Sequence, residues 1–189
     1  MELEIFREKD IKTKKWSGGT TSELFIYPIE EDYANRNFDF RISTAKINVE
    51  KSSFTELKGY NRLIMMLDNS LKLLFNNKTK VSLEPLEFVE FLGEWDTKSE
   101  GMGRDFNVMY KDKYSPLIKV FKEKKENILN INKNNFMNFI YVFNGEIELN
   151  VLNQKELLKK GDFVYIDKME EDIYFNCLQD VGLIQVIMK

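Results

Sequence analysis

Short runs in which apolar residues alternate with polar ones, or in which β-branched and aromatic residues follow one another, recur along this chain between Gly, Asn and Asp breaks. That period of two is the spacing of strands, and it confines the chain to sheet architecture. Twelve segments carry it: Thr20–Tyr27, Phe38–Val49, Asn61–Leu67, Leu71–Phe75, Val81–Leu83, Phe88–Phe91, Asp105–Tyr110, Phe136–Phe143, Glu146–Val151, Phe163–Ile166, Ile173–Asn176 and Leu183–Ile187. Many short strands at tight spacing predict a sandwich or barrel. The Lys-, Glu- and Asn-rich stretch Pro116–Asn135 reads as a solvated connection holding one or two more strands.

With 189 residues, 43% of them apolar and 15 of them Phe, the chain can bury a sizeable core as one domain or two fused halves. Its net charge of −3 leaves no basic field for a nucleic-acid backbone or an anionic membrane, and neither partner is expected. The lone Cys177 excludes an internal disulfide and fits a reducing, cytoplasmic setting. No apolar h-region marks the charged start, so no cleaved signal is expected, and no run approaches the roughly 18 apolar residues of a membrane span.

Zero histidines exclude Ser-His-Asp and Cys-His nucleophiles and any His-based metal site. A metal could then rest only on carboxylates, carbonyls or the lone thiol; neither a metal nor another cofactor is expected, and acid–base work would fall to Asp, Glu, Lys or Tyr. This moves the weight from enzyme toward binding protein. Only 5 of the 28 cationic residues are Arg. Arg7 and Arg36 read as surface residues. Arg41, Arg62 and Arg104 stand inside patterned segments, where a rigid fork suits a carboxylate better than an ammonium does.

An internal repeat separates two halves, 1–112 and 113–189. Asp68-Asn69-Ser70-Leu71-Lys72-Leu73 followed by Val81-Ser82-Leu83-Glu84-Pro85-Leu86-Glu87-Phe88-Val89 echoes Phe143-Asn144-Gly145-Glu146-Ile147-Glu148-Leu149 followed by Leu157-Leu158-Lys159-Lys160-Gly161-Asp162-Phe163-Val164. Turn, strand, polar hairpin, Gly- or Pro-marked turn and second strand come in the same order. This grammar resembles the cupin barrel, and two copies imply an all-β double cupin. Where metal-binding cupins carry P-x-G-x-x-H, this chain reads Asp167-Lys168-Met169-Glu170-Glu171-Asp172. The resemblance therefore implies a fold without its usual metal centre, and a barrel of that kind is suited to a small molecule.

Four further blocks carry polar chemistry on strands. Trp16-Ser17-Gly18-Gly19-Thr20-Thr21-Ser22-Glu23 joins a tight turn to a strand with Thr21 and Glu23 on one face. Phe38-Asp39-Phe40-Arg41-Ile42-Ser43-Thr44-Ala45 puts Arg41 and Ser43 opposite its aromatics. Gly59-Tyr60-Asn61-Arg62 opens an apolar strand on an arginine, which must be paired, lie at a barrel mouth or meet an anion. Gly101-Met102-Gly103-Arg104-Asp105-Phe106-Asn107 sets Asp105 and Asn107 on one face. Turned inward, such residues line a pocket; turned outward, they make a wet sheet surface.

In order and spacing these blocks resemble the HutD/Ves family. The resemblance implies a bicupin of the RmlC-like superfamily tied to histidine utilisation, a regulator that binds a small anionic pathway intermediate such as N-formimino-glutamate. Its motif positions fall on Trp16, Gly18, Gly19, Thr21, Glu23, Arg41, Ser43, Arg62, Asp105 and Asn107. On that reading Arg41 or Arg62 takes a carboxylate and Glu23 or Asp105 faces the amidine-like end. Thr21, Ser43 and Asn107 orient the ligand, and Trp16 closes a wall. Two other functions stay open: a metal-independent cupin isomerase or hydrolase with Glu23 or Asp105 as base, and a protein-interaction scaffold. A homodimer is a further expectation.

Overall fold

The computed structural model describes residues 2–151 and 154–189. The chain divides into two compact units, Ile11–Tyr114 and a second made of Ser115–Lys189 with Met1–Asp10. Nineteen strands and two short 3-10 turns make up the regular structure of the described residues. The first strand is β1 (Leu3–Phe6). The Ile11–Tyr114 unit contains β2 (Thr13–Trp16), β3 (Gly19–Tyr27), β4 (Phe40–Ile47), β5 (Lys51–Ser53), β6 (Asn61–Asp68), β7 (Leu71–Phe75), β8 (Thr79–Leu83), β9 (Phe88–Leu92), β10 (Thr97–Glu100) and β11 (Gly103–Tyr110). The other holds β12 (Pro116–Glu123), β13 (Ile128–Ile131), β14 (Met137–Asn144), β15 (Glu146–Val151), β16 (Gln154–Lys159), β17 (Phe163–Ile166), β18 (Ile173–Cys177) and β19 (Val181–Met188).

Each unit is a two-sheet jelly roll. In the first, a six-stranded sheet β2-β3-β4-β11-β6-β9 faces a four-stranded sheet β5-β10-β7-β8; in the second, β1-β17-β14-β19-β12 faces β13-β18-β15-β16. The neighbour order β4-β11-β6-β9 of one unit returns as β12-β19-β14-β17 in the other, and β5-β10-β7-β8 returns as β13-β18-β15-β16. The internal repeat thus spans eight strands. Its legible part is β7-β8-β9 against β15-β16-β17. The run Asp167–Asp172 is the turn between β17 and β18.

Between the sheets of the first unit, Ile47, Ile64 and Met66 meet Leu71, Leu73, Phe75 and Leu83. In the second unit Ile140, Val142, Val164 and Ile166 meet Leu149, Leu158, Ile173 and Phe175. Alternation decides which residues enter: on β7, Leu71, Leu73 and Phe75 are buried while Lys72 is exposed.

Two features depart from the linear reading. The 1–112 half does not hold together as written, because β1 pairs antiparallel with β17 and carries the first ten residues into the other unit. Arg7 anchors that segment, so it is more than a surface residue. Its guanidinium donates to the Leu157 carbonyl at 2.6 Å, to Glu156 at 2.8 Å and to Asp162 at 3.0 Å, while Asp162 also accepts from the Glu8 amide. The Pro116–Asn135 stretch contains β12 and β13. Both are edge strands of their sheets, and on β12 charges such as Lys119 and Lys122 are what edges use against stray pairing.

Candidate functional site

The site is written into the register of four adjacent strands. Across β3, β4, β11 and β6, Glu23 lies opposite Ser43, Ser43 opposite Asn107 and Asn107 opposite Ile64. One step along, Thr21, Ala45, Asp105 and Met66 form the next row. One step the other way, Arg41 lies opposite Met109 and Met109 opposite Arg62. Ile47, Ile64 and Met66 on this same face belong to the core between the sheets. Inter-strand pairing therefore puts Thr21, Glu23, Arg41, Ser43, Arg62, Asp105 and Asn107 on the inner face of one sandwich. The opposite face of these strands carries Phe40, Ile42, Phe106 and Val108, all buried.

A bulge after Glu23 shapes the upper row. It inserts Leu24, so that Phe25 pairs with Ile42 and Ile26 pairs with Arg41. The Gly18-Gly19 turn has a steric reason. A Cβ on Gly19 would stand 1.8 Å from the Lys46 carbonyl oxygen, and one on Gly18 would stand 2.0 Å from the Trp16 ring. Trp16 packs over the core cluster from the end of β2.

Arg41, Ser43, Arg62, Asp105 and Asn107 are each at most 6% exposed. Their bonding differs. Arg41 donates through Nε to Glu23 Oε2 at 2.6 Å and through Nη1 to Ser43 Oγ at 3.0 Å, and its guanidinium lies 4.5 Å from the centre of the Tyr33 ring. That arginine is already engaged. Arg62 donates through Nη1 to the Thr55 carbonyl at 3.3 Å and stacks on Phe54 and Phe91, 4.8 and 5.5 Å from their ring centres. Its Nε has no partner, and it makes no ion pair among the described residues.

Five buried side-chain polar atoms lack a hydrogen-bond partner among the described residues, and four belong to this set: Trp16 Nε1 and Arg62 Nε as donors, Asp105 Oδ1 and Asn107 Oδ1 as acceptors. Each such atom costs about 1–3 kcal/mol if left unmade. Burial lowers Arg62 to about 10, so it stays cationic at neutral pH. Burial is also the largest influence on Asp105, raising its carboxyl to about 7 against the opposing pull of Arg62. The interior therefore offers, besides the Arg41–Glu23 pair, one cation outside any ion pair among the described residues and one carboxyl poised to change charge near neutrality. No three carboxylate or thiol side chains converge as a metal-ligating set among the described residues.

Tyr33, Phe54 and Phe91, which stack on the two arginines, stand outside the sequence blocks. The composition signal that could have found them is the 13% aromatic content. Arg104 faces elsewhere. It donates through Nε to Asp68 at 2.7 Å, and its backbone amide donates to the same carboxylate at 2.8 Å beside a second bulge.

Solved structures share this arrangement of strands. A conserved protein of unknown function from Pseudomonas aeruginosa PAO1 is similar over 100% of both chains, at 18% identity and a TM-score of 0.85. HutD from Pseudomonas fluorescens SBW25, solved in a formate condition, is similar over 100% of both chains at 20% identity and a TM-score of 0.72. A cupin 2 conserved barrel domain protein from Leptotrichia buccalis is similar over 100% of this chain and 98% of its own, at 12% identity and a TM-score of 0.63. No curated protein matches the sequence. The HutD family model matches residues 8–183, a span that takes in every residue of the inner polar face, and the chain belongs to the HutD family.

Proposed function

We propose that this HutD-like double cupin binds a small anionic metabolite on the inner face of its Ile11–Tyr114 unit and acts as a regulator of histidine utilisation without turning the ligand over. The observation that carries the reading is the set of four orphaned polar atoms on one buried face, two donors and two acceptors. A carboxylate would satisfy Arg62 Nε, and an N–H-bearing end would satisfy Asp105 and Asn107. N-formimino-glutamate carries both kinds of group. Because Glu23 already holds Arg41, the carboxylate goes to Arg62 and the amidine-like end to Asp105. The histidine-pathway role rests on family membership.

The test is a thermal titration with N-formimino-L-glutamate, urocanate, glutamate and formate side by side, read by tryptophan fluorescence. Ligand at about 100 times its Kd adds roughly 2.7 kcal/mol of stability. Selective stabilisation by N-formimino-L-glutamate, weakened by about 1–3 kcal/mol in Arg62→Lys, is the expected result. No shift with any of the four ligands refutes the proposal.

A second reading has its own observation. A carboxyl at about 7 is matched to proton transfer at neutral pH, as a metal-independent isomerase or hydrolase would need. Product formation above the blank that disappears in Asp105→Asn would replace the binding reading with this one.

A further inference from the structure

The outer face of the sheet β5-β10-β7-β8 is open over a groove of about 710 Å³. Strand pairing sets one lysine on each of its four strands. Lys51 lies opposite Glu100 and Glu100 opposite Lys72; in the neighbouring row Lys98 lies opposite Leu74 and Leu74 opposite Lys80. The lysines zigzag between two rows across the whole sheet. They point outward because the alternating positions Leu71, Leu73, Leu83, Thr97 and Ser99 are buried. Four lysines and one glutamate give this face +3, on a chain whose total is −3. Of the four, Lys98 alone makes an ion pair among the described residues, with Asp96 at 3.7 Å.

The chain contains its own control. The equivalent sheet of the other unit, β13-β18-β15-β16, has the same strand order. Its outward charges on β15 and β16 cancel in pairs, Lys155 with Glu148 at 2.9 Å and Lys159 with Glu146 at 3.6 Å. A net-positive face is therefore no requirement of the fold. Protection of sheet edges accounts for Lys51 on β5 and Lys80 on β8, but Lys72 and Lys98 lie on the two central strands.

We infer that this groove binds a small polyanion carrying two or more phosphoryl groups. An ammonium is a compact point charge that suits phosphoryl oxygens, whereas the planar fork that matches a carboxylate is Arg, and no Arg lines the groove. Strands stand about 4.8 Å apart, so three intervals carry the row of cations roughly 14 Å across the sheet from β5 to β8. That length takes a chain of linked phosphoryl groups and exceeds what one phosphate spans. Ser53 and Ser82, in the same two rows, add hydroxyls between the cations.

Calorimetric titration of the full chain with tripolyphosphate tests this, with citrate and a short single-stranded oligonucleotide as comparison ligands. The expected result is saturable one-to-one binding that weakens between about 50 and 200 mM salt. The double variant Lys72→Gln/Lys98→Gln should lose about tenfold in affinity, equivalent to 1.4 kcal/mol, while Lys155→Gln/Lys159→Gln on the equivalent face binds as the parent does. An unshifted thermal midpoint keeps a folding defect from passing as lost binding. Absence of saturable binding, or an equal loss in both double variants, overturns the site. Citrate binding as tightly as tripolyphosphate overturns the phosphoryl preference, and an oligonucleotide binding more tightly overturns the small-ligand assignment.

Discussion

Replacing Asp105 by Asn should stabilise the protein, and the gain should grow with pH. The buried carboxyl is raised from 3.8 to about 7. Between those values the folded protein holds a proton that the unfolded chain has released, so stability falls as pH rises through the window, at about 1.4 kcal/mol per unit. Above pH 7 the folded state carries the whole cost of a buried, partly unpaired carboxylate. The amide that Asp105→Asn introduces is neutral throughout and keeps an oxygen to accept from the Ala45 backbone. The gap between variant and parent should therefore widen by about 2–3 kcal/mol from pH 5 to pH 8, two units of the window at that slope. Both tryptophans, Trp16 and Trp95, lie within Ile11–Tyr114, so intrinsic fluorescence reports on this unit. For a unit of this size the gain corresponds to roughly 10 °C or more in melting temperature at pH 8. Titration of other groups cancels in the difference between the two proteins. A gap that stays constant from pH 5 to pH 8 would mean that Asp105 is charged across the range, and the electrostatic account of the site would fall.

Gly19→Ala should lower the fluorescence-detected melting temperature by about 10 °C or more, since overpacking against the Lys46 carbonyl costs about 3 kcal/mol and cannot be relieved by a rotamer change. A shift under about 2 °C would show that the β3–β4 backbone yields there. Arg7→Ala removes three hydrogen bonds, two of them to carboxylates, at a cost of about 2–4 kcal/mol. Cys177 is buried in the same unit, and burial raises its thiol, so its reaction with a disulfide reagent reports opening of that unit. Labelling should accelerate in the variant, and an unchanged rate would reduce Arg7 to a surface ornament.

The strands that were legible are those whose alternation reports a buried face. Glu146–Val151 and Phe163–Ile166 read correctly to the residue, because Ile147, Leu149 and Val151 enter the core and all four residues of β17 are buried. Among the strands that escaped, β2 and β5 bury little. On β2 only Trp16 is even partly covered, and β5 is three residues long with none buried. Such strands exist because a neighbour supplies their hydrogen bonds, β3 for β2 and β10 for β5, and local composition carries no trace of a partner. The same limit explains β1. Nothing in Leu3–Phe6 says that its partner lies beyond residue 160.

The site divides along a similar line. Period-two alternation put Thr21 with Glu23, Arg41 with Ser43, and Asp105 with Asn107, and register then brought these pairs onto one face. Scarcity of arginine drew attention to Arg41 and Arg62, but scarcity cannot tell a paired arginine from a free one. Arg41 is spent on Glu23 and Ser43, while Arg62 keeps an open donor between Phe54 and Phe91. That difference comes from which strand lies next to which. β4 lies beside β3 and so meets Glu23, whereas on β6 the residues directly opposite Arg62 are Met109 of β11 and Phe91 of β9, neither of them a carboxylate. An unpaired, desolvated guanidinium persists only where packing holds it, here between two aromatic rings. A fold that keeps Arg62 cationic and outside any ion pair among the described residues, on the same inner face as the open acceptors of Asp105 and Asn107, maintains the polar interior that the proposed ligand, a carboxylate bearing an N–H donor, requires.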